Sequence, residues 1–349
     1  MRTLKLAKNL FDRYESQHRI YRYYGLSALF ALAQISHESK DNEYMEKCKT
    51  MLSLYPDKIE HPYYNFINYE VGGNGKAWLC FKGLFDEELE NLRKYAEKTL
   101  ASPADSDGIL CMPSNLEAEK IWIDAAAVIT PFMLYSGLAL KEEKYIDFAA
   151  EQSLKIYDTL LDKTCGLLHQ SRGFRENPSL ISDDHWSRGN GWGYAALAEL
   201  VKHLPKKSRH RAKVEKCFVD LSTALIGYQT SKGAWRQEIT SDYSWDESSG
   251  TALIAYGLGV GLRTGLLSKE IFDKPFKNAI NIIIKRFINY DFSTNMCCAA
   301  CLCPGAGKEK GTIKAYLTEV YPCKDEPHSY GAFMLALLEA HRNGITDYN

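Results

Sequence analysis

An aspartate at the start of an apolar helical segment is the first candidate for acid–base chemistry. Asp124 stands within residues 121–127, which read Ile-Trp-Ile-Asp-Ala-Ala-Ala. An apolar environment disfavours the ionised carboxylate and raises its pKa, which suits a general acid. The alternative is a structural aspartate that caps the helix or compensates its dipole, and composition alone favours this alternative.

A second segment combines polar groups with aromatic rings and glycines. Residues 183–194 read Asp-Asp-His-Trp-Ser-Arg-Gly-Asn-Gly-Trp-Gly-Tyr. The glycines let the backbone approach a ligand closely, and the planar guanidinium of Arg188 matches a carboxylate. Trp186 and Trp192 offer faces for a sugar ring. The alternative is a glycine-rich helix start with a surface salt bridge, which the density of tryptophan and arginine disfavours.

Further candidate residues lie in loops that precede helical segments. His169 follows Gly-Leu-Leu in the loop before residues 183–194, although an isolated histidine is more often structural. Residues 65–75 mix amides, one acid and three glycines, so Glu70 and Asn74 are candidates there. Similar mixtures occur at residues 235–238, 245–250 and 325–328.

A cysteine-rich segment raises the question of a metal site. Residues 297–303 read Cys-Cys-Ala-Ala-Cys-Leu-Cys, and the Cys-x2-Cys spacing suits zinc. Cys323 could join the set, but there is no second distant pair. We therefore expect free thiols there and neither a metal nor a cofactor. The chain also lacks an HExxH motif, a P-loop and a dinucleotide-binding glycine pattern after a strand.

Composition excludes several classes of partner. The 349 residues carry a formal net charge of −1, with 45% hydrophobic and 25% charged residues. No global field favours nucleic acid or an acidic membrane surface, and no run of 18 apolar residues favours a spanning helix. The N-terminal segment lacks the apolar region of a signal peptide. Ten cysteines without such a signal favour a reduced, cytoplasmic protein, which we expect to be a monomer or a homodimer.

A repeated helical hairpin must position the loop residues. Apolar helices, each followed by a polar turn and an amphipathic helix, recur about every 50 to 80 residues. Six such first helices, the last at the C-terminus, predict about twelve helices whose apolar faces are buried by closing a ring. An open solenoid would need polar capping repeats, which are missing. We predict an all-α (α/α)6 toroid formed by one domain, residues 1–349. The long loops, expected at one end of the ring, are residues 56–71, 103–121, 163–188, 230–247 and 291–327.

The loop motifs together resemble a known group of enzymes. From about residue 20 to the C-terminus, the chain is similar to the unsaturated glucuronyl and rhamnogalacturonyl hydrolases of glycoside hydrolase families 88 and 105. The strongest match is residues 186–192, Trp-Ser-Arg-Gly-Asn-Gly-Trp. The other matches, in the order of the family, are Trp122-Ile123-Asp124 leading into Pro131-Phe132 and Tyr145, then residues 166–169, 235–237, 247–252 and 328–333.

This resemblance implies an (α/α)6 barrel and a hydration reaction on a terminal 4,5-unsaturated uronic acid. Asp124 matches the acid/base aspartate of the family. His169, Arg188 and Trp192 match substrate-binding positions, and Arg188 is the expected partner of the uronate carboxylate. Trp186 and Trp122 are expected to contact substrate as well. The family has a second aspartate near an early helix, where this chain offers Glu70 or Asn74.

Three hypotheses for function follow from these observations. The first is a hydrolase that acts on lyase-generated oligosaccharides, such as those from pectin or rhamnogalacturonan. The second is a sugar epimerase or isomerase on the same toroid that uses His169 and His328 as bases. The third is a glycan-binding protein without catalytic activity, which the missing second aspartate would explain.

Overall fold

The computed structural model describes residues 2–59, 66–111 and 119–347. Within these ranges the longer helices alternate with loops that carry three pairs of two-residue strands. The helices are α1 (Thr3–Gln17), α2 (Tyr23–Ser39), α3 (Asn42–Leu52), α4 (Gly73–Phe81), α5 (Leu89–Leu100), α6 (Asp124–Leu140), α7 (Glu143–Leu160), α8 (Ser187–His203), α9 (Arg211–Gly227), α10 (Ser248–Thr264), α11 (Lys269–Ile282), α12 (Ile313–Glu319) and α13 (His328–Arg342). The strands are β1 (Ile121–Trp122), β2 (Ser171–Arg172), β3 (Trp235–Arg236), β4 (Asp246–Glu247), β5 (Cys297–Cys298) and β6 (Pro322–Cys323).

Six helices form a closed inner ring. Each of α2, α4, α6, α8, α10 and α13 packs against the next, and α13 packs against α2 to close the circle. The outer helices α3, α5, α7, α9 and α11 each contact the inner helix that precedes them, whereas α1 contacts α13 and α2. The predicted (α/α)6 toroid is confirmed, and the sixth hairpin joins the two ends of the described chain.

The distribution of apolar residues around each helix explains whether the helix lies in the inner ring or outside it. In α10 every residue from Ser248 to Leu262 is buried, and in α13 every residue from His328 to Ala340 is buried. The outer helix α9 instead buries residues three or four apart, such as Val214, Phe218 and Leu221. A helix covered on all sides must be apolar around its circumference, whereas an outer helix needs a single apolar stripe. None of the helices in the described ranges has the length and apolar character needed to cross a membrane.

The long loops meet at the end of the ring where the inner helices begin. The β1–β2 pair joins the loop before α6 to the loop before α8. A backbone hydrogen bond from Ser187 N to Gln237 O links the start of α8 to the loop before α10. Another, from Ser248 N to Met296 O, links the start of α10 to the loop of residues 291–327. The loops therefore form a connected rim, as their recurrence in the sequence predicts. Parts of the first two loops, residues 60–65 and 112–118, lie outside the described residues.

Close packing of α8 against α10 allows a stability prediction. A Cβ atom at Gly250 would lie 2.4 Å from Ser187 Oγ and 2.7 Å from the backbone nitrogen of Arg188. Because backbone cannot move aside as a flexible side chain can, Gly250→Ala should lower the free energy of unfolding by about 1–3 kcal/mol. Chemical denaturation of both proteins measures the difference. Gly227→Ala, with no neighbouring atom within 4 Å of the new Cβ, is the control and should cause no loss. Equal stability of the two variants would contradict the packing argument.

Candidate active site

A cleft opens at the rim where the inner helices begin. It encloses about 720 Å³, its open mouth included. Aromatic side chains dominate its wall, and within the described residues Asp124 is the acid that lines it. The lining residues are Tyr23, Tyr24, Leu26, Ser27, Phe66, Tyr69, Asn74, Trp122, Asp124, Ala127, Val128, Trp192 and His328.

Asp124 is the first residue of α6 and directly follows β1 and Ile123. The backbone of Ile123 donates to Gln170 O at 2.9 Å, which fixes the approach to the helix. The N-cap position belongs to Ile123, and the Oδ2 of Asp124 is buried without a hydrogen-bond partner. Burial raises the pKa of Asp124 to about 7, although the charge of Arg188 and the indole N–H of Trp192 favour the carboxylate and limit the rise. The side chain therefore does not cap its helix, and its carboxyl group keeps its proton up to a higher pH than an exposed aspartate does.

Asn74 faces the same cleft from the second residue of α4. Its Nδ2 donates to Ala127 O at 3.0 Å, and its Oδ1 is buried without a partner. Glu70 lies in the 3-10 helix Ile67–Val71 and interacts with Tyr95. Glu70 is not among the residues that line the cleft, so Asn74 is the one of the two candidates that lies in the cleft beside Asp124.

Aromatic rings surround the acid. Trp122 stacks against Phe66 with ring centroids 6.4 Å apart, and Tyr23 stacks against Tyr69 at 6.3 Å. The indole nitrogen of Trp122 is buried without a hydrogen-bond partner, whereas the indole N–H of Trp192 faces the carboxyl group of Asp124. An unpaired N–H donor in an aromatic cleft suits the hydroxyl groups and apolar face of a sugar. The tyrosines were not among the residues selected from the sequence.

His328 begins α13 and links two other groups. Its Nε2 lies 2.5 Å from the hydroxyl of Tyr23, and its Nδ1 lies 2.8 Å from Glu326. Burial and the charge of Arg188 lower the pKa of His328. Burial would raise the pKa of Glu326, but His328 and Arg188 outweigh it and lower that pKa to about 2. Glu326 therefore stays ionised and orients His328.

Arg188 is fully buried beside the cleft and does not line it. Its Nη1 donates to Cys298 O and to Ser249 Oγ at 3.2 Å, and its Nη2 donates to Ala299 O at 3.0 Å. The guanidinium lies 4.6 Å from the ring centroid of Trp186, which is itself buried and outside the cleft lining. Arg188 retains one unpartnered donor, Nε. In this arrangement Arg188 acts on the cleft through its charge.

His169 lies in a second group of polar residues. Its Nδ1 is 3.3 Å from Asp184 O, and its ring centroid is 4.7 Å from that of His185. His185 also faces Asp162 and Glu238. Burial would lower the pKa of His185, but hydrogen bonds and nearby negative groups raise it to about 10. The structure does not place His169 among the residues that line the cleft with Asp124.

The cysteine-rich segment supplies acceptors to Arg188. All ten cysteines are free thiols, and those of residues 297–303 are buried. Among the described residues, the group of three side chains that could hold a metal ion is Asp162, His169 and His185, with no cysteine in it. The structure therefore gives no support to a zinc site at residues 297–303.

The closed ring and an aromatic cleft that, among the described residues, is lined by one acid define an (α/α)6 toroidal protein with a candidate carbohydrate site. The family model described as Glycosyl Hydrolase Family 88 matches residues 14–344, and the chain belongs to this family.

Two curated relatives carry the name unsaturated 3S-rhamnoglycuronyl hydrolase. The protein of Formosa agariphila is 28% identical over 167 residues, which cover 45% of this chain and 44% of the relative. The protein of an Alteromonas species is 23% identical over 212 residues, which cover 59% of this chain and 51% of the relative. The matches thus span about half the length of these relatives.

Solved structures share the fold at low sequence identity. The family 105 glycoside hydrolase of C. acetobutylicum superposes with a TM-score of 0.80 at 23% identity, covering 96% of this chain and 99% of the other. The unsaturated glucuronyl hydrolase of Bacillus sp. GL1 gives a TM-score of 0.68 at 14% identity, with 98% and 97% coverage. These similarities show that the chain shares the fold of both proteins over almost all of its length.

Proposed function

We propose that the protein is a glycoside hydrolase that removes a terminal 4,5-unsaturated uronic acid from lyase-generated oligosaccharides. The observation that carries the proposal is Asp124, a buried carboxylic acid with a pKa raised to about 7 in an aromatic cleft. Membership of family 88 and the names of the two relatives support this substrate class. Oligosaccharides derived from pectin or rhamnogalacturonan are the expected substrates.

The proposed reaction is hydration of the vinyl ether double bond. Asp124 donates its proton to C4, and positive charge develops at C5 and the ring oxygen. Water adds to C5 and returns a proton to the Asp124 carboxylate. The resulting hemiketal opens and releases the remainder of the oligosaccharide. A pKa near 7 suits a group that must act first as an acid and then as a base.

The number of carboxylic acids in the cleft favours hydration over displacement at the anomeric carbon. Ordinary glycosidases use two carboxyl groups on either side of the scissile bond. Within the described residues, Asp124 is the acid in the cleft lining, and the counterpart beside it is the amide of Asn74. The free Oδ1 of Asn74 can accept a hydrogen bond from a sugar hydroxyl or from the attacking water.

Substrate contacts are proposed for the groups left without partners. Trp122 offers an unpaired indole N–H and an apolar face, and Trp192 offers an apolar face beside Asp124. The positive charge of Arg188 attracts the uronate, with its Nε as the remaining donor. Contact of His169, Trp186 and Glu70 with substrate stays a prediction, since these side chains are not in the cleft lining.

The arrangement of the histidines speaks against an epimerase. A two-base mechanism needs both bases at one substrate carbon. His328 lines the cleft, but its Nε2 is engaged by Tyr23, and His169 belongs to the separate group with Asp162. No observation favours this alternative over hydration.

The raised pKa of Asp124 leads to a prediction for the pH dependence of activity. The acid must be protonated in the free enzyme to begin the reaction. We therefore expect kcat/KM to be constant below pH 7 and to fall about tenfold per pH unit above it. Initial rates across the pH range measure the profile. A profile that stays flat to pH 9 would contradict the role of Asp124 as a proton donor.

Loss of ultraviolet absorbance by the conjugated double bond tests the proposed function directly. Purified protein should remove this absorbance from unsaturated disaccharides, and a panel with rhamnose or another sugar as the released residue should identify the preferred substrate. An unchanged signal across the panel would exclude the hydrolase. Binding of the same disaccharides in calorimetry without any product would then support a glycan-binding protein.

We also propose that the enzyme is cytoplasmic, acts as a monomer or homodimer, and binds neither nucleic acid nor membrane. The near-zero net charge supports the last two expectations. Light scattering of the purified protein determines the oligomeric state.

A further inference from the structure

Three side chains near the starts of α2 and α13 form a hydrogen-bonded chain that ends in the cleft. The Nδ1 of His328 lies 2.8 Å from both carboxylate oxygens of Glu326, and its Nε2 lies 2.5 Å from the hydroxyl of Tyr23. Tyr23 is the first residue of α2, and His328 is the first residue of α13. Both residues line the cleft together with Asp124. The hydration reaction proposed above assigns no role to these hydrogen bonds.

The carboxylate of Glu326 determines which nitrogen of His328 carries the hydrogen. Glu326 is ionised and can only accept hydrogen bonds. It also accepts from the backbone nitrogen of His328 at 2.9 Å and from the thiol of Cys297 at 3.4 Å. The Nδ1 of His328 must therefore carry a hydrogen. Burial and the charge of Arg188 lower the pKa of His328 and keep the ring neutral, so its Nε2 carries a lone pair.

This tautomer fixes the direction of the Tyr23 hydroxyl group. Because a lone pair on Nε2 can only accept, the O–H of Tyr23 donates to His328. Burial raises the pKa of Tyr23, the charge of Arg188 opposes this rise, and the charge of Asp124 adds to it. The hydroxyl group therefore keeps its hydrogen, which is directed away from the ligand. The Tyr23 oxygen is left with its remaining lone pair as an acceptor in the cleft.

We propose that Glu326 and His328 are positioning residues that make Tyr23 a hydrogen-bond acceptor for an O–H group in the cleft. This O–H group belongs either to the water that adds to C5 or to a hydroxyl group of the unsaturated sugar, and the role rests on the proposed hydrolase function. When water adds, its oxygen forms the bond to C5 and one hydrogen passes as a proton to the Asp124 carboxylate. The other hydrogen stays on the new hydroxyl group and can be held by Tyr23. An acceptor whose direction is fixed before the ligand arrives needs no reorganisation during the reaction.

The imidazole nitrogen resonances of His328 test the direction of the hydrogen bonds without any substrate. In full-length protein with isotopically labelled histidine, the wild-type ring should be neutral at about pH 7, with its hydrogen on Nδ1. The signal is assigned by its absence from His328→Gln. Glu326→Gln introduces an amide that can donate to Nδ1, so the hydrogen should shift toward Nε2. A wild-type ring that is doubly protonated, or that carries its hydrogen on Nε2, would overturn the proposal.

A double-mutant cycle in the ultraviolet assay tests whether Glu326 acts through Tyr23. Tyr23→Phe keeps the aromatic ring but removes the acceptor, and it should lower kcat/KM about tenfold. Glu326→Gln should lower kcat/KM by about three- to tenfold in the wild type but less than about twofold in Tyr23→Phe. The second loss is small because the tautomer of His328 no longer matters without the hydroxyl group. A loss in kcat identifies water as the hydrogen donor, and a rise in KM identifies a sugar hydroxyl.

A control variant and the order of the measurements separate this inference from the proposed function. Glu309→Gln makes the same substitution at a carboxylate that is 54% exposed and pairs with Lys314, and it should leave kcat/KM unchanged. Equal losses from Glu326→Gln in the two backgrounds would indicate a structural role alone and overturn the proposal. If no unsaturated disaccharide is turned over, the proposed function fails, while the resonances of His328 still decide whether Tyr23 is an acceptor.

Discussion

Asparagine in place of Asp124 is expected to abolish turnover of unsaturated disaccharides, with a loss of about 10²–10⁴-fold in kcat. Asparagine has nearly the same shape, but its amide can neither donate a proton to C4 nor accept one from water. The ultraviolet assay measures the loss. Substrate binding, measured by calorimetry, should change much less than kcat, because the aromatic wall of the cleft is unaltered.

The stability of the same variant provides an internal check. A carboxyl group whose pKa is raised on folding binds its proton more tightly in the folded state, so its contribution to stability falls as pH rises from about 4 to about 7. Asp124→Asn removes this dependence, and the variant should gain Tm relative to the wild type between pH 5 and pH 8. Asp183→Asn is the control, since Asp183 is 48% exposed and pairs with Arg175 at the surface. Retained activity in Asp124→Asn would exclude the proposed acid.

Glu247→Ala is expected to cause the largest loss of stability, about 3–5 kcal/mol. The buried carboxylate of Glu247 caps α10 by accepting from the backbone of Ser249 at 3.0 Å and Gly250 at 2.5 Å. It also accepts from Ser187 Oγ at 3.1 Å and from the backbone of Cys298 at 3.0 Å. The substitution would leave these buried donors unpaired, and unfolding in urea measures the cost.

Two further variants distinguish the loss of the buried hydrogen bonds of Glu247 from the general effect on stability of removing an acidic residue. Glu247→Gln keeps one acceptor oxygen and should lose about 1–3 kcal/mol. Glu215→Ala removes a surface acid that pairs with Arg211 at 2.5 Å and should lose less than about 1 kcal/mol. Because Ser249 connects Glu247 to Arg188, Glu247→Gln should also lower activity. Wild-type stability in Glu247→Ala would show that the cap does not hold α8, α10 and the cysteine-rich segment together.

The fold was predictable because the layers of a toroid have different sequence patterns. The inner helices α10 and α13 are apolar around their circumference, while α9 has one apolar stripe. The packing of α1 on the last inner helix, α13, was not predicted, because α1 is followed directly by the inner helix α2 and looks like part of an ordinary hairpin. The two-residue strands were not predicted either, since they are too short to show an alternating pattern.

The site was predictable where chemistry was concentrated in one motif. Trp122, Asp124 and Trp192 stand in conspicuous segments, and all three line the cleft. Tyr23 and Tyr69 were missed because aromatic residues are frequent in this chain, with 22 tyrosines. Tyr23 does not stand beside a polar motif, and within residues 65–75 the acid and the amide were selected in place of Tyr69.

The sequence motif does not show which of its residues line the cleft, because that depends on how each side chain is buried in the folded protein. Arg188 and Trp192 are four residues apart on α8 and share a face, yet only Trp192 lines the cleft. Residues 298 and 299, more than a hundred positions away in the chain, supply the carbonyls that hold Arg188. Such a partner cannot be read from local sequence, and the same holds for Asp162 and His185 around His169.

Closure of the ring by α13 has a consequence for synthesis on the ribosome. Each of the inner helices α4, α6, α8 and α10 can pack on the inner helix before it as the chain emerges. The side of α2 that does not contact α4 stays uncovered until α13 has been synthesised. The helix that completes the circle also carries His328 into the cleft. Nascent chains therefore expose apolar surface on α2 and α10 until the last helix is available, and they acquire the wall beside Tyr23 only at that point.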